Sequence, residues 1–234
     1  MVRHLQSLIY KEIAVTQNNS NDKVDVKKVY YESGALWYET PYVNGKRHGI
    51  ARAYYEAGAI YSETPYVAGN LHGIAKQYHE SGAPWIETPY EEGYKHGIEK
   101  EYYESGALSI EIPHVNGNRH GIAKSYYETG ILRWEAPYVN GNRHGIEKTY
   151  YASGVLQLET PRVNGDTYGV AKHYYESGAL RFEVPCVNGN QHGIAKSYNK
   201  DNLNIDCIKL YRGDREVLVL CLESYGTAST KSYI

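Results

Sequence analysis

The stretch that decides the fold is Ile50 to Gly73, "IARAYYEAGAIYSETPYVAGNLHG". It contains two runs rich in β-formers, Ile50 to Glu56 and Ala59 to Val67, with Ala57-Gly58 between them. The segment Ala68-Gly69-Asn70-Leu71-His72-Gly73 then leads into a second copy of the same pattern. Glycine between β-rich runs marks hairpin turns, because it reaches positive φ without strain. Two connections per unit give two antiparallel strands per unit. A helix is disfavoured by the paired tyrosines, the proline and the closely spaced glycines.

Outward from this unit the pattern repeats with a period of 24. One glycine column runs Gly34, Gly58, Gly82, Gly106, Gly130, Gly154, Gly178. A second runs Gly45, Gly69, Gly93, Gly117, Gly141, Gly165, Gly189, and a third Gly49, Gly73, Gly97, Gly121, Gly145, Gly169, Gly193. Of the 23 glycines, only Gly213 and Gly226 fall outside, and they continue the second and first columns. A fixed period of this length is the signature of a repeat array. The expected fold is all-β: an elongated single-layer antiparallel sheet of tandem 24-residue β-hairpin repeats, with about 15 to 18 strands and a length of roughly 70–80 Å at 4.7–4.9 Å per strand. The expected organisation is an N-terminal segment over 1–25, seven hairpin repeats over 26–200, and a degenerate repeat and cap over 201–234. Glu12 to Asn21 reads as a degenerate half-unit, and the apolar run Val217 to Glu223 as a strand capping the end of the sheet.

Composition agrees with many short strands. The chain of 234 residues holds 26 Tyr but one Phe and one Met, and tyrosine suits half-exposed positions. The net charge is −2, which offers no global field for nucleic acid or an anionic membrane. No run approaches the ~18 apolar residues of a membrane-spanning helix. No signal peptide is read in Met1 to Tyr10, and a cytoplasmic location is expected. Cys186, Cys207 and Cys221 have no CxxC spacing, which argues against a disulfide framework or a zinc site.

The prolines Pro41, Pro65, Pro89, Pro113, Pro137, Pro161 and Pro185 form one column. Proline cannot donate to a ladder, so a bulge or strand break is expected there in every repeat. If Ala57-Gly58 is a two-residue turn, Arg52 faces Glu63, and the Lys/Arg and Glu columns share a face with the Tyr54 column. A different turn length reverses that parity.

The wording "ETPYVNGKRHGIARAYYEAG" resembles the MORN repeat, in the variant form with "YYESGAL" and "NGxxHGIAK" that is common in bacterial antitoxin-like proteins. The resemblance covers about residues 26 to 200. It implies a hairpin sheet with a binding or scaffolding role and, more loosely, neutralisation of a partner toxin. The usual Gly-x-Gly closure is altered here (Gly49-Ile50-Ala51, with Glu99 or Glu147 in other units), which departs from the form linked to lipid binding.

Columns that change between repeats carry selectivity in an array. One reads Trp37, Tyr61, Trp85, Ser109, Arg133, Gln157, Arg181. Aromatics and Arg are enriched at interface hot spots, so Trp37, Tyr61, Trp85, Arg133 and Arg181 are the candidates for docking a protein partner. The alternative is a membrane or phosphoinositide scaffold, using the turn cations Arg47, Lys95, Arg119 and Arg143. The histidine column (His48, His72, His96, His120, His144, His192) is spaced on the order of 10 Å and cannot share one metal ion. Seven equivalent Glu positions without a pocket do not make a catalytic pair. Arg212-Gly213-Asp214 spells an adhesion tripeptide, but Gly213 is the next expected turn glycine. No catalytic residue, metal or cofactor is expected.

Overall fold

A computed structural model describes the backbone of residues 13–19, 22–201, 204–222 and 228–232, and side chains within 23–201 and 204–221. Among the described residues there is no helix. The fold is all-β, built from tandem hairpins in antiparallel sheet. The chain divides into two compact units, up to Asn118 and from Arg119 onward.

The hairpin of the opening stretch pairs strand Gly49–Tyr54 with strand Ile60–Val67. Its turn differs from the two-residue expectation. The Gly58 amide donates to the Tyr55 carbonyl at 2.8 Å, and the Tyr55 amide donates to the Ala59 carbonyl at 2.8 Å. The loop is therefore Glu56-Ala57-Gly58, with Gly58 at φ 91°. Yet Arg52 still faces Glu63. A β-bulge restores the register: Tyr54 faces Ile60 and Ala53 faces Ser62, so Tyr61 is an extra residue. The longer loop and the bulge offset one another, and the expected parity survives.

The second connection is a two-residue turn of type I′. Asn44 and Gly45 have φ of 50° and 78°, and Val43 faces Lys46. Ala68 and Glu92 occupy the Asn position at φ 49° and 50°, although neither reaches the left-handed region as readily as Asn. Arg212-Gly213-Asp214-Arg215 is the same kind of turn, with Arg212 facing Arg215.

The proline expectation holds as a strand break on one side of the ladder. Pro41 is in register with Val26 on the preceding strand. Toward the following strand, Glu39 faces Arg52 and Tyr42 faces Arg47, so the intervening chain is longer on the following strand. The His48 amide donates to the Pro41 carbonyl at 3.1 Å inside this break. A residue's N–H and C=O point to the same side of a strand, so the donor that proline lacks falls where the ladder is already open. The third glycine column sits against the proline. A Cβ on Gly49 would lie 3.2 Å from Pro41 Cγ, and one on Gly145 would lie 2.7 Å from Pro137 Cγ.

The two faces of the sheet differ. One carries Ile50, Arg52, Glu63 and Pro65; the other carries Ala51, Ala53, Ser62 and Thr64. On the second face Thr40 and Ala51 are buried at 2% and 1%, and so is Ala136 of the second unit at 0%. On the first face the Ile column stays open, from Ile50 at 43% to Ile194 at 54%. No large side chain among the described residues is fully buried, as befits a sheet without a second layer in either unit.

Charge follows the register. In the first unit Lys28, Glu39, Arg52, Glu63, Lys76, Glu87, Lys100 and Glu111 face one another in sequence across adjoining strands. Each such half-exposed pair contributes only ~0–1 kcal/mol. The tyrosine column adds to them: Tyr54 Oη donates to Glu39 Oε1 at 2.8 Å and Tyr102 Oη to Glu87 Oε2 at 3.1 Å. In the second unit Tyr150 and Tyr174 donate likewise to Glu135 and Glu159. Burial, and then the hydrogen bond and charge of the acceptor carboxylate, push Tyr54, Tyr150 and Tyr174 up to about 12. Glu183, which accepts from Lys196 Nζ and Tyr198 Oη, is held below the usual carboxylate range, chiefly by the lysine hydrogen bond.

At the N-terminal end, Ile13–Asn19 pairs with Asp22–Tyr30; of the stretch Glu12 to Asn21, Glu12, Ser20 and Asn21 lie outside the described residues, as do Met1 to Lys11. Strand Arg215–Leu222 is not terminal. It pairs with Ile205–Arg212 on one side and with Ala228–Ser232 on the other, which corrects the expectation that Val217 to Glu223 closes the sheet. Glu223 and Gly226 fall outside the described residues. Cys207 faces Cys221 across this hairpin and is joined to it by a disulfide, which corrects the reading of the cysteines. Local spacing misled there, because antiparallel register brings together residues 14 apart. Cys186 is free and buried, and burial raises its thiol.

Candidate interaction surface

The variable column of the sequence is the bulge column. In the first unit Trp37, Tyr61, Trp85 and Ser109 are the extra residues of successive hairpins. In the second unit Arg133, Gln157 and Arg181 are. A bulge leaves its extra residue out of the ladder and re-aims its side chain. Here the side chain lies against the aromatic residue that opens the adjacent turn. Trp37 packs on Tyr31 with ring centroids 6.0 Å apart, Tyr61 edge-on to Tyr55 at 5.3 Å, and Trp85 on His79 at 5.7 Å. In the second unit the guanidiniums of Arg133 and Arg181 lie over the rings of Tyr127 and Tyr175, at 5.8 and 5.5 Å.

The supporting tyrosines are fixed by the neighbouring repeat. Tyr31 Oη donates to the Tyr54 carbonyl at 2.7 Å, Tyr55 Oη to the Tyr78 carbonyl at 2.8 Å, and Tyr127 Oη to the Tyr150 carbonyl at 2.8 Å. The tips at Tyr31, Tyr55 and Tyr127 are thus rings anchored by their hydroxyls with a changeable side chain laid on each, while the ring under Trp85 is His79, which has no hydroxyl. The rings stay partly open to solvent, and Trp85 is 37% exposed.

The turn cations sit differently. Arg47 lies over the Tyr66 ring at 5.2 Å and donates to its hydroxyl at 3.1 Å. The Lys95 ammonium pairs with Glu99. Arg119 lies over the Tyr138 ring at 5.6 Å. Arg143 pairs with Glu147 at 3.2 Å and donates to the Tyr138 hydroxyl at 3.1 Å. Two of the four cations are therefore neutralised by carboxylates of their own chain, and all four lie against groups of the Ala/Thr face.

Sequence reasoning noted these carboxylates only as departures from Gly-x-Gly and missed that they are buried and engage the turn cations. Glu99 and Glu147 replace alanine in a row of small residues and are buried at 8% each. Glu147 accepts from Trp134 Nε1 at 2.7 Å and from Arg162 Nε at 2.8 Å besides its pair with Arg143. Glu99 accepts from Thr88 Oγ1 at 3.3 Å, and His114 Nε2 lies 4.0 Å away. The available signal was a charge in a column of Ala. Beside the tip of Arg133, an open hollow of about 390 Å³ is lined by Tyr127, Arg133, Trp134, Thr149 and Gln157 among others. Among the described residues no group of three or more His, Cys, Asp or Glu is placed to hold a metal ion, and no helix is long and apolar enough to cross a membrane.

The MORN repeat variant model matches the chain seven times, at residues 26–44, 47–68, 71–92, 95–116, 119–140, 143–164 and 167–188. The chain belongs to the MORN repeat variant family. The matches cover more than half of the sequence and follow the 24-residue register of the hairpins. MORN repeats form non-catalytic scaffolds that commonly mediate protein or membrane interactions. The matched MORN segments contain every bulge residue of the variable column, from Trp37 to Arg181. No curated protein matches the chain.

Proposed function

We propose that the chain is a protein-binding scaffold, not an enzyme, and that it docks its partner on the hairpin tips. The observation that carries this reading is the coincidence of the variable column with the bulge. The glycine, proline, glutamate and Tyr54 columns stay constant, while the residue released from the ladder changes among aromatic, polar and basic types. The in-ladder column Ala53, Gln77, Glu101, Ser125, Thr149, His173, Ser197 varies as well, but under the constraint of pairing. Trp37, Tyr61 and Trp85 are the aromatic contacts in this reading, and Arg133 and Arg181 the cationic ones. Neutralisation of a toxin is one form such binding takes, and it is supported by the family resemblance alone. The membrane alternative loses support because Lys95 and Arg143 are spent on Glu99 and Glu147.

The test compares the native chain with a Trp37→Ser/Trp85→Ser variant as baits against an extract of the source cells, with retained proteins quantified by mass spectrometry. The expected result is at least a tenfold loss of one or more specific proteins from the variant, at an unchanged circular dichroism spectrum. Equal retention by a folded variant would dismiss the aromatic tips as the docking surface.

A further inference from the structure

We propose that the tips of the first unit receive a proline-rich segment in the polyproline II conformation, with basic residues between its prolines. This rests on the docking role proposed for Trp37, Tyr61 and Trp85 and names the kind of segment they take.

The first argument is one of period. The first three tips each offer a pair of rings, Trp37 with Tyr31, Tyr61 with Tyr55, and Trp85 with His79, whereas the fourth carries Ser109. Successive pairs are two strand spacings apart, about 9.5 Å. A polyproline II helix rises about 3.1 Å per residue and repeats every three residues, about 9.3 Å. Over the two intervals that separate three tips the mismatch stays within about 1 Å. An extended strand repeats its side-chain face every ~6.7 Å and an α-helix every ~5.4 Å. Neither period fits 9.5 Å in whole steps. Polyproline II also has no internal hydrogen bonds and keeps its backbone solvated, so it needs no strand edge to pair with. Aromatic-lined grooves are the surfaces on which such segments dock.

The second argument is charge. The three ring-paired tips carry exposed Glu32, Glu56 and Glu80, and no Lys or Arg stands in the three turns between the ring residues and their glycines. These carboxylates lie near the rings: after burial itself, the charge of Glu56 raises Tyr31, and after burial and Tyr61 that of Glu80 raises Tyr55. An aromatic row fringed with carboxylates selects proline accompanied by Arg or Lys. The second unit also has exposed Glu128 and Glu176 at its tips, and differs in what lies on its rings. Its tip rings Tyr127 and Tyr175 are already covered by Arg133 and Arg181, which repel a basic ligand.

The experiment uses the full chain and labelled twelve-residue peptides, with binding read by fluorescence anisotropy. One peptide repeats Arg-Pro-Pro. A second has the same composition with the three-residue period broken. A third replaces proline by Gly and Ser at the same charge, and a fourth replaces Arg by Glu. The expected result is binding of the first peptide, with each of the others at least tenfold weaker. The Trp37→Ser/Trp85→Ser variant should lose at least tenfold for the first peptide. Absence of binding, equal binding of the period-broken or proline-free peptide, or indifference of a folded variant overturns the proposal. If the variant fails to fold, the peptide comparison on the native chain decides alone. If no peptide binds while the variant still loses its cellular protein, the docking reading stands and the polyproline inference falls.

Discussion

Replacing Gly145 by alanine should cost the chain far more than the same change at Gly130. At Gly145 φ is 118°, and a Cβ would stand 2.7 Å from Pro137 Cγ. Two effects act together. A non-glycine residue at such a φ costs on the order of 1–3 kcal/mol. Forcing a methyl into contact with a ring that is itself part of the backbone costs roughly 1–3 kcal/mol more. At Gly130 φ is 83° and a Cβ meets nothing within 4 Å, so only the backbone cost remains. We expect Gly145→Ala to destabilise by about 3–5 kcal/mol and Gly130→Ala by about 1–2 kcal/mol. Urea unfolding followed by circular dichroism measures both, with the slope against denaturant compared to confirm that the same surface is exposed. The steric share is isolated by a double-mutant cycle with Pro137→Ala, which removes the atom that is struck. That cycle should return about 1–3 kcal/mol of favourable coupling. Equal losses at the two glycines, or a coupling near zero, would refute the claim that the third glycine column exists to admit proline.

Two further outcomes follow from the same geometry. Ala68→Asn and Glu92→Asn place the residue preferred in a type I′ turn at φ near 50°, and each should stabilise by about 0.5–1 kcal/mol, seen as a higher urea midpoint. Tyr54, Tyr150 and Tyr174 are raised from 10.0 to about 12 in the folded chain, so between these values the folded state holds protons that the unfolded state has released. Stability should therefore be steady up to about pH 10 and fall as pH rises toward 12. A urea midpoint that does not move from pH 9 to pH 11.5, or tyrosinate absorbance that develops wholly near pH 10, would contradict it.

The strands, the turns and the charged ladder were legible because they repeat. Gly45 and Gly58 mark turns by a conformation that few other residues adopt, and the pairing of Arg52 with Glu63 follows once the turn is placed. Pro41 announced an open stretch of ladder, though not that Gly49 would fill it. The bulge at Tyr61 was illegible for a physical reason. An extra residue in a strand has no required chemistry, so Trp37, Ser109 and Arg133 all serve, and its only trace is variation. The longer Glu56-Ala57-Gly58 loop was hidden because the bulge compensates it. The engagement of Arg143 by Glu147 depended on which face each occupies, which the 24-residue period leaves open until the register is known. The Cys207–Cys221 pairing was missed for a similar reason, since it belongs to a hairpin where the motif has decayed.

The bulge has an evolutionary consequence. A residue that takes no part in the backbone ladder can be exchanged by a single codon change without disturbing any main-chain bond of its repeat. Each hairpin therefore carries a site outside the ladder where heredity is free to experiment while the glycine, proline and glutamate columns guard the architecture. Duplicating a repeat copies that site along with its support, so the lineage gains recognition capacity in increments of one hairpin, and new preferences arise at almost no risk to folding.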